Sequence, residues 1–286
     1  MFQDMTLVFI GDSTFRDIAH SVLQDVFGMD RISTATDYLQ HRHGVVAHVV
    51  GESLRVVFVY PPGIQGDTPP LPTYTMPALM LNSSMGRKGK SFAPGWAAAL
   101  EHATALHSSY EDEAIERGSG RGLKLVVFLG GIFMNVTVID TARAWLGHML
   151  SRAEIESPMR SIALVLRSNG PSNMKHASDL ENVRFAAAAR AWQRTAPVPV
   201  LFWDVYAMLL KVWPFMLAGE PKHLRSVGAS LVPSRNAVIS DGGACSCHWA
   251  HKDASGIAGP VNAELARQAL RLAEFASNPP GVNLGL

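Results

Sequence analysis

The sequence predicts a three-layer α/β/α sandwich with a mainly parallel sheet of about five strands. Two observations predict it. Short apolar runs rich in β-branched and aromatic residues alternate along the chain with segments of helical periodicity. Several of these runs end at glycine or a polar residue, as is typical of a buried parallel strand that leads into a crossover helix. Right-handed crossovers would then cover both faces of the sheet with helices.

The first strand is predicted over Met5–Ile10 (MTLVFI), and Gly11-Asp12 ends it. The next residues, 14–27, place Phe15 and three aliphatic side chains on one stripe, so we expect a helix there. Gly28 follows the last residue of the stripe and provides the stop signal.

Two β-rich runs, 45–50 and 55–60, come next, and Gly51-Glu52-Ser53 between them permits either a turn or two separate strands. Residues 61–95 contain seven of the 17 prolines and several glycines. They predict a long irregular loop, and loops of that length in compact domains tend to be functional or mobile.

The rest of the chain alternates regularly between helices and strands. We see no internal repeat and no clean linker, and therefore expect one domain spanning residues 1–286. The predicted elements are a helix at 96–117, a strand at 123–129, a helix at 138–152, a strand at 161–167, a helix at 178–195, a strand at 198–203, a helix at 205–215 and a closing amphipathic helix at 261–275.

Composition excludes several classes of protein. A hydrophobic fraction of 48% with only 17% charged residues excludes a disordered chain. The 25 Lys and Arg residues against 24 Asp and Glu leave no field that would concentrate a nucleic acid. Cys245 and Cys247, the two cysteines, are separated by one residue, so a disulfide between them could not close a long loop. We expect neither a metal site nor a cofactor.

Two features of the sequence concern the location of the protein in the cell. No run is long and uncharged enough to predict a membrane span, since those at 123–139 and 198–219 are interrupted by polar and charged residues. The amino terminus carries no signal-peptide pattern. As written, the sequence predicts a cytoplasmic protein, and one of the secretory pathway if its amino terminus is incomplete.

Chemistry is expected beyond the carboxyl ends of the strands, where ligands bind in open α/β sheets. Ser13 follows the first strand and opens the first predicted helix, whose amino terminus favours developing negative charge. The alternative is a structural role, in which the serine only caps this helix.

Gly11-Asp12-Ser13 with Arg16, placed directly after an apolar strand, resembles the GDSL/SGNH-type hydrolases. Within them it is most similar to the PC-esterase-like branch, which includes trichome-birefringence-like and sialate O-acetyltransferase-like domains. The resemblance implies an SGNH or flavodoxin-like sheet and a serine nucleophile.

That family supplies a base and its orienting acid from a late Asp-x-x-His segment before the last helix. His248, followed by Trp249, matches the base, with Asp241 as the acid. Seven positions rather than three separate Asp241 from His248, so His251 stays open as the base and Asp253 as the acid.

The resemblance also implies donors for the oxyanion, beginning with the Ser13 backbone N–H. Gly51 matches the glycine after the second strand, and Gly130 and Gly131 lie at the end of the strand predicted at 123–129. Ile132 occupies the position of the family's asparagine, so Asn135 or the glycine amides would replace it. Asn169, in a segment with two amides and a cation after the following strand, is a further candidate for substrate contact.

The implied activity is hydrolysis or transfer of an O-acyl group, with O-acetyl favoured, from a small-molecule or glycan ester through an acyl-serine intermediate. The stretched spacing between the acid and the base and the missing asparagine favour an alternative. This is a catalytically inactive SGNH-like domain that binds a glycan or a protein.

Overall fold

The computed structural model describes residues 4–27, 45–50, 54–61, 93–116, 123–131, 134–156, 162–169, 179–210 and 260–277. It confirms the predicted α/β architecture. Six strands form one sheet, with helices packed around it. The strands are β1 (Met5–Gly11), β2 (Val45–Val50), β3 (Leu54–Val59), β4 (Lys124–Gly130), β5 (Ile162–Arg167) and β6 (Val200–Trp203).

The helices alternate with the strands as the sequence periodicity predicts. The first of them continues beyond its last α-helical residue as one π-helical turn, Val22–Val26. The helices are α1 (Ser13–Ser21), α2 (Ala93–Glu116), α3 (Val136–Glu156), α4 (Asp179–Gln193), α5 (Val205–Leu210) and α6 (Pro260–Ser277).

The strand order across the sheet is β2-β3-β1-β4-β5-β6. Five strands are parallel and β2 alone runs antiparallel, at the edge beside β3. Counted along the chain, the five parallel strands follow the order 2-1-3-4-5, which is that of flavodoxin-like doubly wound sheets. The chain therefore turns outward from β1 in one direction and from β4 in the other.

The helices cover the two faces of the sheet in separate groups. Helix α1 contacts α6, whereas α2 contacts α3 and α3 contacts α4. Right-handed crossovers produce this division, because the chain moves across the sheet one way after β1 and the opposite way after β3. The connection that follows β1 thus leads to one face, and the connection that follows β4 leads to the other.

The junction between the second and third strands was open in the sequence. In the structure, β2 and β3 are antiparallel neighbours, with Val50 opposite Leu54, so residues 51–53 join adjacent strands. Helix α2 begins at Ala93, inside the last residues of the predicted loop 61–95. Pro94 does not oppose this start, because the first turn of a helix needs no proline N–H.

The core consists of the central strands and the helix faces that cover them. Phe9 of β1 stacks on Phe128 of β4, with ring centroids 4.7 Å apart. Phe15 of α1 meets Phe9 edge-on at 5.5 Å, which fastens α1 to the sheet near the carboxyl ends of these strands. Among the helices in the described ranges, none combines the length and the apolar character needed to cross a membrane.

Candidate active site

The candidate site lies where the carboxyl ends of β1 and β4 meet. These strands are parallel neighbours, and their last residues, Gly11 and Gly130, are partners in the register. The connections beyond them lead to opposite faces of the sheet. This is the topological switch point, where open α/β sheets bind their ligands.

Gly11 and Gly130 allow α1 to pack directly on the strand ends. A β-carbon at Gly11 would collide with the carbonyl oxygen of Gly130 and would lie 2.8 Å from Cδ1 of Phe15. A β-carbon at Gly130 would lie 2.9 Å from Cζ of the same ring. The glycines therefore serve close packing, and the first residue of the Gly11-Asp12-Ser13 motif has a physical explanation.

Asp12 joins β1 to α1 and is buried. Its backbone carbonyl accepts hydrogen bonds from the N–H groups of Phe15 at 3.0 Å and Arg16 at 2.9 Å, which makes it the first acceptor of the helix. Its carboxylate lies against Gly131, where a β-carbon would approach Oδ2 to 2.6 Å. Gly131 also has φ of 133°, which side chains disfavour. A side chain at this point, where the connections after β1 and β4 are in contact, would therefore be strained.

Ser13 is the first residue of α1, directly beyond β1. Helical geometry gives the N–H groups of Ser13 and Thr14 no intrahelical acceptor, since they precede the first turn. They belong to the amino terminus of α1, where the helix dipole favours an anion. The Ser13 hydroxyl itself lies outside the described side chains. Arg16, the other residue of the motif, is buried one turn further along.

Asn135 follows the glycines and caps α3. Its Oδ1 accepts a hydrogen bond from the N–H of Val138 at 3.2 Å, and its backbone carbonyl accepts from the same N–H at 3.1 Å. Asparagine is favoured at this position because its side chain replaces a missing helix acceptor. The cap accounts for Asn135 structurally, and a role as an oxyanion donor stays a prediction.

Asn169, beyond β5, fastens the connection between β4 and α3. Its Oδ1 accepts from the N–H of Met134 at 2.9 Å, and its Nδ2 donates to the carbonyl of Met134 at 3.0 Å. The side chain is completely buried. This paired amide contact holds the backbone of Met134, so Asn169 ties the residue before α3 to the end of β5.

Asp204, beyond β6, caps α5. Its Oδ1 accepts from the N–H of Ala207 at 3.1 Å, and its Oδ2 pairs with Arg190 at 2.9 Å. Ser168 extends this arrangement, because its Oγ accepts from the N–H of Tyr206 at 2.8 Å. The ends of β5 and β6 are thus held by side-chain to backbone hydrogen bonds.

Arg167, the last residue of β5, is the cation that the sequence places beside Asn169. Its side chain is fully buried, and its guanidinium carbon lies 5.5 Å from the centre of the Phe15 ring. Burial lowers the pKa of Arg167 to about 10, and the nearby Asp12 carboxylate acts in the opposite direction. The signal in the sequence is a cation at the end of an otherwise apolar strand, IALVLR.

The structure thus brings Gly11-Asp12, at the end of β1, next to Gly130-Gly131, at the end of β4. The remaining predicted site residues lie outside the described ranges. They are the base and acid candidates His248, Asp241, His251 and Asp253, and the oxyanion candidate Gly51.

Comparison with known proteins gives no independent identification. A scan against protein-family models finds no match for the chain, and a search of curated proteins finds no relative. A function therefore has to be inferred from the residues and from the geometry of the strand ends.

Proposed function

We propose that the chain is a serine esterase or O-acyltransferase of the SGNH type. Its substrate would be an O-acyl ester, with an O-acetyl ester of a carbohydrate favoured. One observation carries the proposal: Ser13 follows β1 directly and is the first residue of α1, at the switch point of a flavodoxin-like sheet. A serine in that position lies where such sheets bind their ligands and has a helix amino terminus behind it.

In the first step, the Ser13 oxygen bonds to the carbonyl carbon of the ester while its proton passes to His248. The tetrahedral intermediate then expels the alcohol, which takes the proton from His248, and leaves an acyl-serine. In the second step, water or a sugar hydroxyl attacks the acyl-serine and gives its proton to the same base. The Ser13 oxygen leaves and recovers the proton.

The charge that develops on the carbonyl oxygen needs donors that are in place before the reaction. The N–H of Ser13 lies at the amino terminus of α1, and the backbone N–H groups of Gly130 and Gly131 lie at the end of β4. Contact between Asp12 and Gly131 supports the proposal, because it holds the ends of β1 and β4 together.

The decisive experiment is labelling with a fluorophosphonate probe, which reacts only with an activated serine. We expect the wild-type protein to be labelled and Ser13→Ala to be unlabelled. Ser151→Ala is the matched control, because Ser151 is an exposed serine on α3, and it should label as the wild type does.

Turnover of p-nitrophenyl acetate provides the second readout. Ser13→Ala should lower it to the level of the buffer control, whereas undiminished turnover would remove Ser13 from the mechanism. Failure of the folded wild-type protein both to label and to turn over substrate would favour the inactive, binding domain of the same fold. Addition of a sugar acceptor then separates the two enzymes, since a transferase yields the acylated sugar and a hydrolase yields the free acid.

A further inference from the structure

The guanidinium of Arg167 is fully buried at the end of β5. Among the described residues, no acceptor lies within hydrogen-bonding distance of Nε, Nη1 or Nη2, and each of these atoms is shielded from solvent. Taking a charge out of water without hydrogen bonds is strongly unfavourable, and folded proteins rarely retain such a group without a use for it. Arg167 therefore needs an explanation that the fold itself does not provide.

The location of this guanidinium indicates its use. In the register of β4 and β5, Leu129 is opposite Leu166, so Arg167 follows on beside Gly130. The two glycines at the ends of β1 and β4 leave room above the sheet, and the Phe15 ring occupies it. The Arg167 guanidinium lies over that ring, which belongs to the first turn of α1.

Two independent features thus favour an anion near the first turn of α1. One is the amino terminus of α1, where Ser13 and Thr14 have N–H groups without intrahelical acceptors. The other is Arg167, whose donors form a planar fork that matches the two oxygens of a carboxylate. Asp12 interacts electrostatically with the guanidinium without hydrogen-bonding to it, and this interaction does not offset the desolvation.

We propose that Arg167 forms the base of an anion-binding site at the switch point, and that this site takes a carboxylate carried by the ester substrate. The class of substrate rests on the proposed function, whereas the anion site does not. A substrate of this class is an ester that carries a carboxylate close to the scissile bond. Arg167 is a binding residue in this proposal, and it determines specificity.

The first test measures the anion site without any reaction. Acetate and inorganic phosphate are titrated into wild type, Ser13→Ala, Arg167→Met and Arg167→Lys at constant ionic strength, and the melting temperature is recorded. Both anions should raise the melting temperature of the wild type and of Ser13→Ala. The shift should vanish in Arg167→Met and require roughly tenfold more anion in Arg167→Lys, which keeps the charge but loses the fork.

Arg267→Met is the matched control, because Arg267 is an exposed arginine on α6. It should respond to both anions as the wild type does. Without anion, Arg167→Met should melt at or above the wild type, because the variant no longer buries a charge that lacks hydrogen bonds. A melting temperature far below the wild type would assign Arg167 a structural role, and an anion shift retained in Arg167→Met would also overturn the proposal.

The second test concerns the substrate and compares phenyl acetate with 4-acetoxybenzoate, which differ by one carboxylate. Wild type should have the lower KM for 4-acetoxybenzoate, and in Arg167→Met the ratio of the two KM values should approach one. Equal KM values in the wild type would refute the carboxylate substrate. If no serine is labelled and neither ester reacts, the proposed function fails, yet the anion shifts in Ser13→Ala still decide whether the site exists.

Discussion

Gly11 and Gly130 lie side by side at the ends of β1 and β4, so close that a β-carbon on the first would collide with the carbonyl oxygen of the second. The Phe15 ring closes this arrangement from above, in contact with both glycines. The close packing at the candidate site therefore depends on the lack of a β-carbon at Gly11 and Gly130 and on the Phe15 ring.

Gly11→Ala should destabilise the protein, because the methyl group has no space between the carbonyl of Gly130 and the Phe15 ring. We expect a loss of about 1–3 kcal/mol in the free energy of unfolding, as is typical of overpacked sites. Urea unfolding measures it.

Gly147→Ala is the matched control, since a β-carbon there would meet nothing within 4 Å and Gly147 lies within α3. It should raise stability by about 0.5–1 kcal/mol, because alanine loses less entropy than glycine in a helix. Equal effects of the two substitutions would show that the strand ends are not tightly packed.

Asn135 allows the cap of α3 to be separated from a role in catalysis. Asn135→Ala should cost about 1 kcal/mol, because the N–H of Val138 loses its side-chain acceptor. Asn135→Asp keeps an acceptor at the cap and removes the amide donor, so its stability should stay close to that of the wild type.

Turnover of p-nitrophenyl acetate by Asn135→Asp then reports on the oxyanion. Backbone donors alone predict turnover within a few-fold of the wild type. A fall of a hundredfold or more without loss of stability would instead identify the Asn135 amide as a donor.

The polar cluster under α2 predicts how stability depends on pH. His107 is buried against β1, where its Nδ1 lies 3.3 Å from Oγ1 of Thr6, and its Nε2 lies 3.6 Å from Oε1 of Glu111. Burial, and after it the charge of Arg55, lowers the pKa of His107 from 6.5 to about 4.

The unfolded chain therefore binds a proton at His107 as the pH falls below about 6.5, whereas the folded chain binds it only near pH 4. Stability should fall in that window by up to about 3 kcal/mol from this group. His107→Gln should lose less stability than the wild type between pH 7 and pH 4, as measured by urea unfolding.

Comparison of the two proteins at pH 8, where histidine is neutral in both states, isolates the effect of the substitution on packing. Parallel pH profiles for wild type and His107→Gln would contradict the buried neutral imidazole.

The two candidate bases are separated by single substitutions. His248→Ala should lower turnover of p-nitrophenyl acetate by about a thousandfold or more, because the serine loses its proton acceptor. His251→Ala should change it by less than about tenfold. The reverse pattern would assign the base to His251, and a circular dichroism spectrum of each variant controls for folding.

Much of the fold could be predicted from local patterns. Apolar runs such as Met5–Ile10 and helical stripes such as that of Phe15 depend only on neighbours along the chain, and the structure places strands and helices there. The direction of β2 could not be predicted, because Gly51-Glu52-Ser53 permits either a turn or two separate strands. Pairing with β3 decides it.

Local patterns account for the alternation of strands and helices and for the position of Ser13 between the first two elements, because both follow from the spacing of apolar residues and from the Gly11-Asp12-Ser13 motif. Folding of the whole domain is needed to bring Gly11 against Gly130, to pair Asn169 with Met134, and to bury Arg167 over Phe15. These contacts join residues from different strands, and their geometry depends on strand order and register, which no local pattern encodes.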